Sequence, residues 1–272
     1  MLTAARSLRL SAEAAPELPR INALERLYAM GVRFRQGQTI MVAGRSGTQK
    51  SGFALWLTAN WNLPTLYLSA DMSSFTASTR LACMLTGRTT EDVEAEMNAG
   101  GERRQAILDS LAHLDMTFSF GSPITWFGLE NELLAYVEAH DAWPAVIVID
   151  NLMDVEGADS DYTGQMAAMQ EFTALSRNTG ATVLILHHAS DKTMKATSDP
   201  YSPPGRGEIK GGMSEKPELS LTVALNPNNG QFRVACVKQR MGPSDPTGDT
   251  YCTLQCIPER TQFAPFDFRM AA

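Results

Sequence analysis

The chain has 272 residues, of which 44% are hydrophobic and 19% are charged, and its formal net charge at pH 7 is −7. This length allows one large α/β domain or two small ones, and the apolar fraction is typical of a globular protein with a sizeable core. The negative charge argues against broad, charge-driven binding of nucleic acid, but it permits a confined basic loop. No apolar run approaches the roughly 18 residues of a membrane span, so we expect no membrane partner.

The cysteines do not match a zinc ligand set, because only Cys252 and Cys256 are close and no histidine lies near them in sequence. Scattered thiols in a chain of this size indicate a reducing compartment, so we expect a cytoplasmic protein. Residues 1–20 carry Arg6 and Arg9 but lack the apolar segment of a signal peptide. We interpret them as an N-terminal arm that precedes a domain spanning residues 21–272.

Apolar spacing predicts alternating helices and strands, followed by a hairpin. Helical spacing predicts helices over residues 21–30, 51–60, 76–85, 91–114, 129–140 and 163–178, with a break in the fourth near Gly100. Apolar runs predict buried strands over residues 39–43, 65–69, 116–120, 145–149 and 182–186. Alternation predicts a β-hairpin over residues 219–225 and 231–238, and one more strand over residues 250–257. The expected fold is α/β, with a mainly parallel central sheet and a C-terminal β-hairpin region.

Residues 38–51 have the layout of a phosphate-binding P-loop, in which a buried strand leads through a glycine-bearing loop to Lys-Ser and a helix. The pattern G-x-x-x-x-G-K-[ST] places Gly44, Lys50 and Ser51, but Gln49 stands where the second glycine belongs. We expect Gly47 to supply part of the missing backbone freedom. The alternative is an ordinary strand–turn–helix with a surface lysine.

In a P-loop, backbone N–H groups point at phosphate oxygens, the lysine reaches the β- and γ-phosphates, and the serine hydroxyl holds Mg²⁺. The residues predicted to bind the phosphates of ATP are Gly44, Arg45, Ser46, Gly47, Thr48, Gln49, Lys50 and Ser51.

Two aspartates end predicted buried strands, where open α/β sheets bind ligands. Asp150 follows the most apolar run of the chain and fits the aspartate that holds Mg²⁺ in P-loop NTPases. Asp71 follows residues 65–69 and would orient the water that attacks the γ-phosphate. The alternatives are that Asp150 caps the next turn and that Asp71 is the N-cap of the next helix. One carboxylate for metal and one for water suit a nucleotide hydrolase.

Three segments together resemble the DnaB-type replicative helicases. Residues 66–72, Leu-Tyr-Leu-Ser-Ala-Asp-Met, resemble the strand in which that family has a catalytic glutamate before methionine. Residues 148–152 look like its Walker B strand, and residues 237–242, Val-Lys-Gln-Arg-Met-Gly, resemble its Lys-x-Arg-x-Gly segment. The resemblance covers about residues 20–260 and implies a RecA-like P-loop ATPase core. It implies a phage or plasmid type that lacks the helical N-terminal domain of cellular DnaB proteins.

The resemblance also implies roles for individual residues. Asp71 would be the catalytic carboxylate, with ATP and Mg²⁺ as ligands of the P-loop. Lys238 and Arg240 would reach the γ-phosphate held by a neighbouring subunit, which implies a homo-oligomeric ring such as a hexamer. Alternatively, Arg240 is a surface salt-bridge residue.

The same resemblance implies a polar sensor and a DNA-facing loop. His187 or His188 would couple the γ-phosphate to the DNA loop, unless both are simply solvated at a strand end. The polar loop of residues 189–212, with three prolines, is of a length that is usually functional or disordered. Its basic residues outnumber its acidic ones by 4 − 3 = +1. The residues predicted to bind DNA, which we expect to be single-stranded, are Lys192, Lys195, Arg206 and Lys210.

The predicted function is an ATP-hydrolysing motor acting on DNA, a DnaB-like helicase in replication. Two departures from the family pattern, Gln49 and Asp71, bear on its rate. Aspartate is one methylene shorter than glutamate, so it would hold the attacking water in a different place. A misplacement of about an ångström can lower the rate of hydrolysis ~10²-fold. A slow ATPase or a nucleotide-dependent switch therefore fits the sequence as well. The alternatives are a recombinase-type ATPase that coats single strands and a non-hydrolysing scaffold in a replication or recombination complex.

Overall fold

A computed structural model describes residues 3, 5–6, 15–159, 161–191 and 199–267 of the chain. In this part of the chain, the strands are β1 (Thr39–Gly44), β2 (Thr65–Ser69), β3 (Met116–Ser119), β4 (Val146–Asp150), β5 (Thr182–His188), β6 (Leu219–Asn226), β7 (Gln231–Gln239), β8 (Tyr251–Ile257) and β9 (Gln262–Pro265). The helices are α1 (Glu25–Ala29), α2 (Lys50–Trp61), α3 (Ser74–Thr86), α4 (Thr90–Ala99), α5 (Gly101–Ala112), α6 (Trp126–His140) and α7 (Tyr162–Thr179).

The described strands form one nine-stranded sheet in the order β3-β2-β4-β5-β1-β6-β7-β8-β9. The strands from β3 to β6 in this order pair in parallel, and β7, β8 and β9 add in antiparallel fashion. This arrangement confirms the predicted α/β fold with a mainly parallel centre and a C-terminal hairpin. The last strand, β9, was not predicted, because its four residues are too few to show a period and the last two are exposed.

The parallel strands are buried on both faces, which explains why their sequences do not alternate. Ile40 and Val42 of β1 face one apolar cluster, whereas Met41 and Ala43 face the other. Helices α2 and α3 contribute to the first cluster, and α6 and α7 contribute to the second. Helices therefore cover both faces of the central strands.

The late hairpin belongs to the same core as the P-loop helix. The ring of Phe53 in α2 lies 5.0 Å from that of Phe232 in β7 and 5.5 Å from that of Phe263 in β9. Aromatic pairs at such distances add to the burial of apolar surface. The antiparallel strands therefore pack onto the helix that follows the P-loop.

The predicted break near Gly100 is present, and residues 91–114 form two helices. Gly100 and Gly101 have φ angles of 73° and 70°. Glycine adopts this left-handed region without the steric penalty of a Cβ, so the chain turns there and a new helix begins.

Part of the N-terminal arm packs onto the domain. Leu18 is buried, and its N–H donates to the carbonyl of Phe34 at 2.8 Å, while Glu17 pairs with Arg35 as an antiparallel bridge. Among the described residues, no helix combines the length and the apolar character needed to cross a membrane.

The described part of the 189–212 loop is packed and not extended into solvent. Ala189 pairs with Ile209, and the N–H of Ser190 donates to the carbonyl of Glu208 at 2.7 Å. Short 3₁₀ turns span Arg206–Glu208 and Lys210–Glu215.

Candidate active site

A cavity of about 220 Å³ lies at the carboxyl ends of β1, β2, β4 and β5. The parallel strands bring these ends together although they are far apart in sequence. The residues that line the cavity are Ser46, Gly47, Thr48, Gln49, Lys50, Ser51, Asp71, Arg80, Asp150, Asn151 and His188. Nine of the predicted site residues therefore meet in one place.

The P-loop is closed by two side chains that donate to the same carbonyl. Thr48 Oγ1 donates to the Arg45 carbonyl at 2.8 Å, and Lys50 Nζ donates to it at 3.0 Å. A Cβ on Gly44 would lie only 2.7 Å from Thr48 Oγ1 and 2.9 Å from Val223. The first glycine of the pattern is thus required by the close approach of the loop to its neighbours.

Gln49 adopts a backbone conformation that favours glycine. Its φ is 59° and its ψ is 32°, in the left-handed region, and Gly47 also has a positive φ of 72°. The positive φ of Gly47 agrees with the expectation that it supplies part of the backbone freedom of the loop, but Gln49 itself also adopts the left-handed region. A non-glycine residue pays roughly 1 kcal/mol for the left-handed region, yet the loop keeps the shape of a P-loop. Gln49 makes no side-chain cap to the described first turn of α2, as is typical where helix N-termini bind phosphate.

Asp150 lies at the bottom of the cavity and is 1% exposed. Ser51 Oγ donates to Asp150 Oδ1 at 3.1 Å, and the Tyr67 hydroxyl donates to Asp150 Oδ2 at 2.9 Å. Burial nevertheless raises the pKa of Asp150 to about 6, because the two hydroxyls and Lys50 offset only part of the cost of desolvation. Burial also lowers the pKa of Lys50, against the attraction of Asp150 and Asp71.

The donor set around Asp150 fits Mg²⁺. The serine hydroxyl and the carboxylate are hard oxygen ligands, and their mutual distance shows that they converge on one point. A buried carboxylate whose negative charge is only partly offset favours a cation. Among the described residues, no group of three His, Cys, Asp or Glu side chains could hold a metal ion. A Mg²⁺ ion typically binds through one or two protein side chains and takes its other ligands from substrate phosphates and water.

Asp71 is positioned by its neighbour on the next strand. Asn151 Nδ2 donates to Asp71 Oδ2 at 3.0 Å. Since β2 and β4 are adjacent, Ser69 pairs with Asp150, and the residues just after each strand meet above the sheet. Asp71 thus faces the same cavity as Lys50 and Asp150.

Replacing Asp71 by asparagine is expected to lower ATP turnover about 10²-fold, since an amide cannot accept a proton from the attacking water. Binding of a fluorescent ATP analogue, measured by titration, is expected to stay within about 3-fold. Asp154→Asn is the matched control, because Asp154 also accepts a hydrogen bond from Asn151 but does not line the cavity. Equal turnover by the Asp71 variant and the control would exclude the catalytic role.

Three residues of the site were not predicted. Arg80 and Asn151 line the cavity, and Tyr67 donates a hydrogen bond to Asp150. Arg80 extends from α3 into the cavity and donates to Met72 Sδ at 3.3 Å, and it forms no ion pair among the described residues. Tyr67 and Asn151 were noted only as parts of strands. Their roles depend on contacts across 80 or more residues, for which local spacing carries no signal.

The two predicted sensor histidines lie in different environments. His188 lines the cavity, and burial and the nearby Lys50 lower its pKa. His187 is fully buried, its Nε2 lies 2.9 Å from the Lys210 carbonyl, and burial lowers its pKa to about 4, so it is neutral at pH 7. Since consecutive residues of a strand face opposite ways, only His188 of the two predicted sensors lines the cavity.

Lys238 and Arg240 lie at the opposite end of the sheet from the cavity. Lys238 pairs with Ser220 at the start of β6, whereas Gly44 pairs with Val223 further along that strand. Lys238 Nζ donates to the carbonyls of Glu215 and Pro217. Burial and the neighbouring Arg240 lower the pKa of Lys238 to about 8. Neither residue can therefore reach the P-loop of its own chain.

The predicted DNA-binding residues are dispersed. Lys192 and Lys195 lie outside the described residues. Arg206 donates through Nε to Ser214 Oγ at 3.1 Å and lies near Lys238. Lys210 is exposed, and its carbonyl contacts His187 beside the cavity. Of the described pair, Lys210 is the one that lies on the side of the nucleotide site.

A larger groove of about 470 Å³ lies between α6 and α7. Its lining is mostly apolar, with Trp126, Trp143 and Phe172 among it. None of the predicted site residues lines it, so the smaller cavity is the candidate active site.

Comparison with known proteins places the chain in a family. The model of the AAA domain family matches residues 4–194. The gene 65 protein of Mycobacterium phage L5 is 30% identical over 98% of this chain and 99% of its own length. The gene 65 protein of Mycobacterium phage D29 is 31% identical over 84% of this chain and 99% of its own length. The chain belongs to the AAA domain family.

Solved structures identify the fold of this AAA domain. A solved ATPase domain has a TM-score of 0.77 at 13% identity, over 96% of both chains. A DnaB-like replicative helicase has a TM-score of 0.78 at 13% identity, over 97% of this chain and 68% of its own. The RadB recombinase has a TM-score of 0.58 at 14% identity, over 90% of this chain and 97% of its own. The fold is that of the RecA-like ATPase core of DnaB-type helicases, as predicted, and such a P-loop fold binds nucleotide.

Proposed function

We propose that this chain binds ATP·Mg²⁺, hydrolyses ATP and uses the energy to act on DNA, as a DnaB-like helicase in replication. One observation carries the proposal: the P-loop lysine and serine and two strand-end aspartates converge on one cavity. A P-loop lysine and serine, a buried carboxylate for metal and a second carboxylate for water are the parts that hydrolysis of a γ-phosphate needs.

Each residue of the cavity has a task that its contacts support. The backbone of residues 44–51 binds the phosphates, and Lys50 turns from the Arg45 carbonyl to the β- and γ-phosphate oxygens. Ser51 and Asp150 would hold Mg²⁺. When bound, Mg²⁺ supplies positive charge that offsets the negative charge on the phosphate oxygens. Asp71, held by Asn151, orients the attacking water and accepts its proton.

The positions of Lys238 and Arg240 support a role between subunits. Arg240 is exposed and donates to the Lys216 carbonyl at 3.4 Å, so its guanidinium is not buried in its own chain. In a ring built by head-to-tail contacts, one face of a subunit meets a different face of the next. Under that arrangement, the basic end of β7 contacts the γ-phosphate bound by a neighbour and stabilises the charge in the transition state.

Arg240→Ala is expected to lower ATP turnover by about 10²- to 10³-fold, the range for one lost positive contact to a transition state. A mixing experiment distinguishes action in trans from a structural effect. Equal amounts of Arg240→Ala and Lys50→Ala subunits restore the intact pair at about one quarter of the interfaces of a randomly mixed ring. Recovery of about a quarter of wild-type turnover is therefore expected. An Arg240→Ala protein with full activity, or a mixture without recovery, excludes the role.

The deciding measurement for the proposed function is ATP turnover by the wild-type chain, with and without single-stranded DNA. We expect slow ATP turnover without DNA and faster turnover with DNA. The Lys50→Ala protein gives the background rate that does not depend on the P-loop. No turnover in either condition would leave the non-hydrolysing scaffold as the function.

A recombinase-type role is the second candidate, because the fold is also similar to the RadB recombinase. Negative-stain images with ATP and single-stranded DNA separate the two. Closed rings support the helicase, and helical filaments support the recombinase.

A further inference from the structure

The side chain of Arg45 does not enter the nucleotide cavity, although its backbone is part of the P-loop. Its guanidinium binds the 189–212 loop through separate donors. Nε donates to the Ser190 carbonyl at 3.2 Å, and Nη1 donates to the Ser202 carbonyl at 3.1 Å. Nη2 donates to Glu208 Oε1 at 3.1 Å. One P-loop residue therefore contacts both the beginning and the far part of the predicted DNA loop.

The ion pair between Arg45 and Glu208 is buried. The side chains of Arg45 and Glu208 are 14% and 2% exposed. Glu208 also accepts the N–H of Gly205, and its carbonyl accepts the N–H of Ser190. Because a buried charge without its partner is costly, the loop and the P-loop cannot move independently at this point.

The backbone of Arg45 connects this pair to the phosphate-binding lysine. The Arg45 carbonyl accepts hydrogen bonds from Lys50 Nζ and from Thr48 Oγ1. When Lys50 turns to a phosphate, this carbonyl loses one of its two donors. The loss changes the hydrogen bonding of the Arg45 backbone, and the side chain of the same residue binds the 189–212 loop. A second contact, from His187 to the Lys210 carbonyl, lies beside it and joins the end of β5 to the same loop.

We propose that the Arg45–Glu208 pair couples nucleotide binding at the P-loop to DNA binding by the 189–212 loop. Glu208 acts as a positioning residue and contacts neither nucleotide nor DNA. The inference rests on the proposed function, since it requires that this loop binds DNA. It assigns the connection between the two sites to one ion pair. Nucleotide binding and DNA binding both shift the arrangement of this pair.

The coupling is measured as a ratio of binding constants. The affinity for a fluorescent oligo-dT strand is titrated with and without a non-hydrolysable ATP analogue, and the affinity for the analogue is titrated with and without oligo-dT. By linkage the two ratios are equal, and values of about 5 to 150 are typical of coupled sites. We expect a ratio above about 5 for the wild type and a ratio below about 2 for Glu208→Gln.

The matched control is Asp199→Asn. Asp199 forms an ion pair with Arg233 of β7 and accepts the N–H of Tyr201, so it anchors the same loop through β7 and through the loop itself, whereas Glu208 anchors it to the P-loop. This variant is expected to bind oligo-dT more weakly while keeping the wild-type ratio. If Asp199→Asn loses the ratio as fully as Glu208→Gln, order in the loop alone explains the coupling and the inference fails.

A second variant guards against misfolding. Arg45→Lys keeps the backbone and the positive charge but replaces a fork of donors with a single ammonium, which cannot reach all three partners. It is expected to give a ratio between those of wild type and Glu208→Gln, with an unchanged far-ultraviolet dichroism spectrum. A wild-type ratio in both Arg45→Lys and Glu208→Gln overturns the inference. A wild type that binds no oligo-dT overturns the proposed function instead.

Discussion

Alanine at Lys50 is expected to lower ATP turnover by about 10³-fold, a loss of the size seen when a positioned charge is removed from a phosphoryl-transfer centre. Lys50 is the P-loop cation of the cavity, and its ammonium lies within reach of Asp71 and Asp150. A methyl group in its place cannot bind the β- and γ-phosphates. Phosphate release from ATP, followed at saturating ATP and Mg²⁺, measures the loss.

The Lys50→Ala protein is expected to fold as stably as the wild type, within about 1 kcal/mol. Burial lowers the pKa of Lys50, which means that the fold disfavours its charged form. Lys216→Ala is the matched control, because Lys216 lies in the segment before β6 and does not line the cavity. Equal turnover by wild type and Lys50→Ala would mean that the P-loop is not the active centre.

Asparagine at Asp150 is expected to have opposite effects on activity and on stability. Turnover falls by about 10²- to 10³-fold, because an amide is a poor ligand for Mg²⁺. The folded protein becomes more stable at pH 7, because the ionised carboxylate is buried and only partly compensated. A variant that is more stable but inactive is the expected result if the carboxylate binds a metal ion and the fold alone does not compensate its charge.

The pH dependence of this stabilisation follows from the direction of the shift. The pKa of Asp150 is raised from 3.8 to about 6 in the folded state, so folding favours its protonated form. That contribution is fully present below the unfolded pKa and is lost as the pH rises through about 6. The free energy of unfolding of Asp150→Asn is therefore expected to match that of the wild type at about pH 4. It exceeds the wild-type value by roughly 1–3 kcal/mol at about pH 7.

Urea unfolding of both proteins at several pH values tests this expectation. Asp159→Asn serves as the control, because Asp159 is an exposed carboxylate whose replacement is expected to change the free energy of unfolding by less than about 0.5 kcal/mol. An Asp150→Asn protein that is less stable than wild type at neutral pH would falsify the view that the charge of Asp150 destabilises the fold.

The fold was largely predictable from local patterns in the chain. The strand over residues 65–69 has the predicted bounds, and the other core strands differ by one or two residues at an end. Runs of apolar residues without alternation are a direct consequence of burial on both faces of a parallel sheet. Gly44, Lys50 and Ser51 were predictable for a similar reason, since a P-loop is a local structure with fixed spacing.

The sequence by itself thus determined the α/β class, the order of the elements, the strand–loop–helix layout of residues 38–51 and the two strand-end aspartates. These features depend on short-range spacing and on burial, which the pattern of apolar residues records. Only the tertiary structure decided which way individual side chains turn. It directed Arg45 to the 189–212 loop, put His188 but not His187 in the cavity, and brought Tyr67 to Asp150.

The physical reason for this division is the order of the strands in the sheet. Neighbours in space such as β1 and β5 are separated by more than a hundred residues in sequence, so no local signal relates them. Gln49 shows the same limit at the scale of one residue. Its left-handed backbone is unfavourable in isolation. It is imposed by the loop, whose threonine and lysine donate to the Arg45 carbonyl.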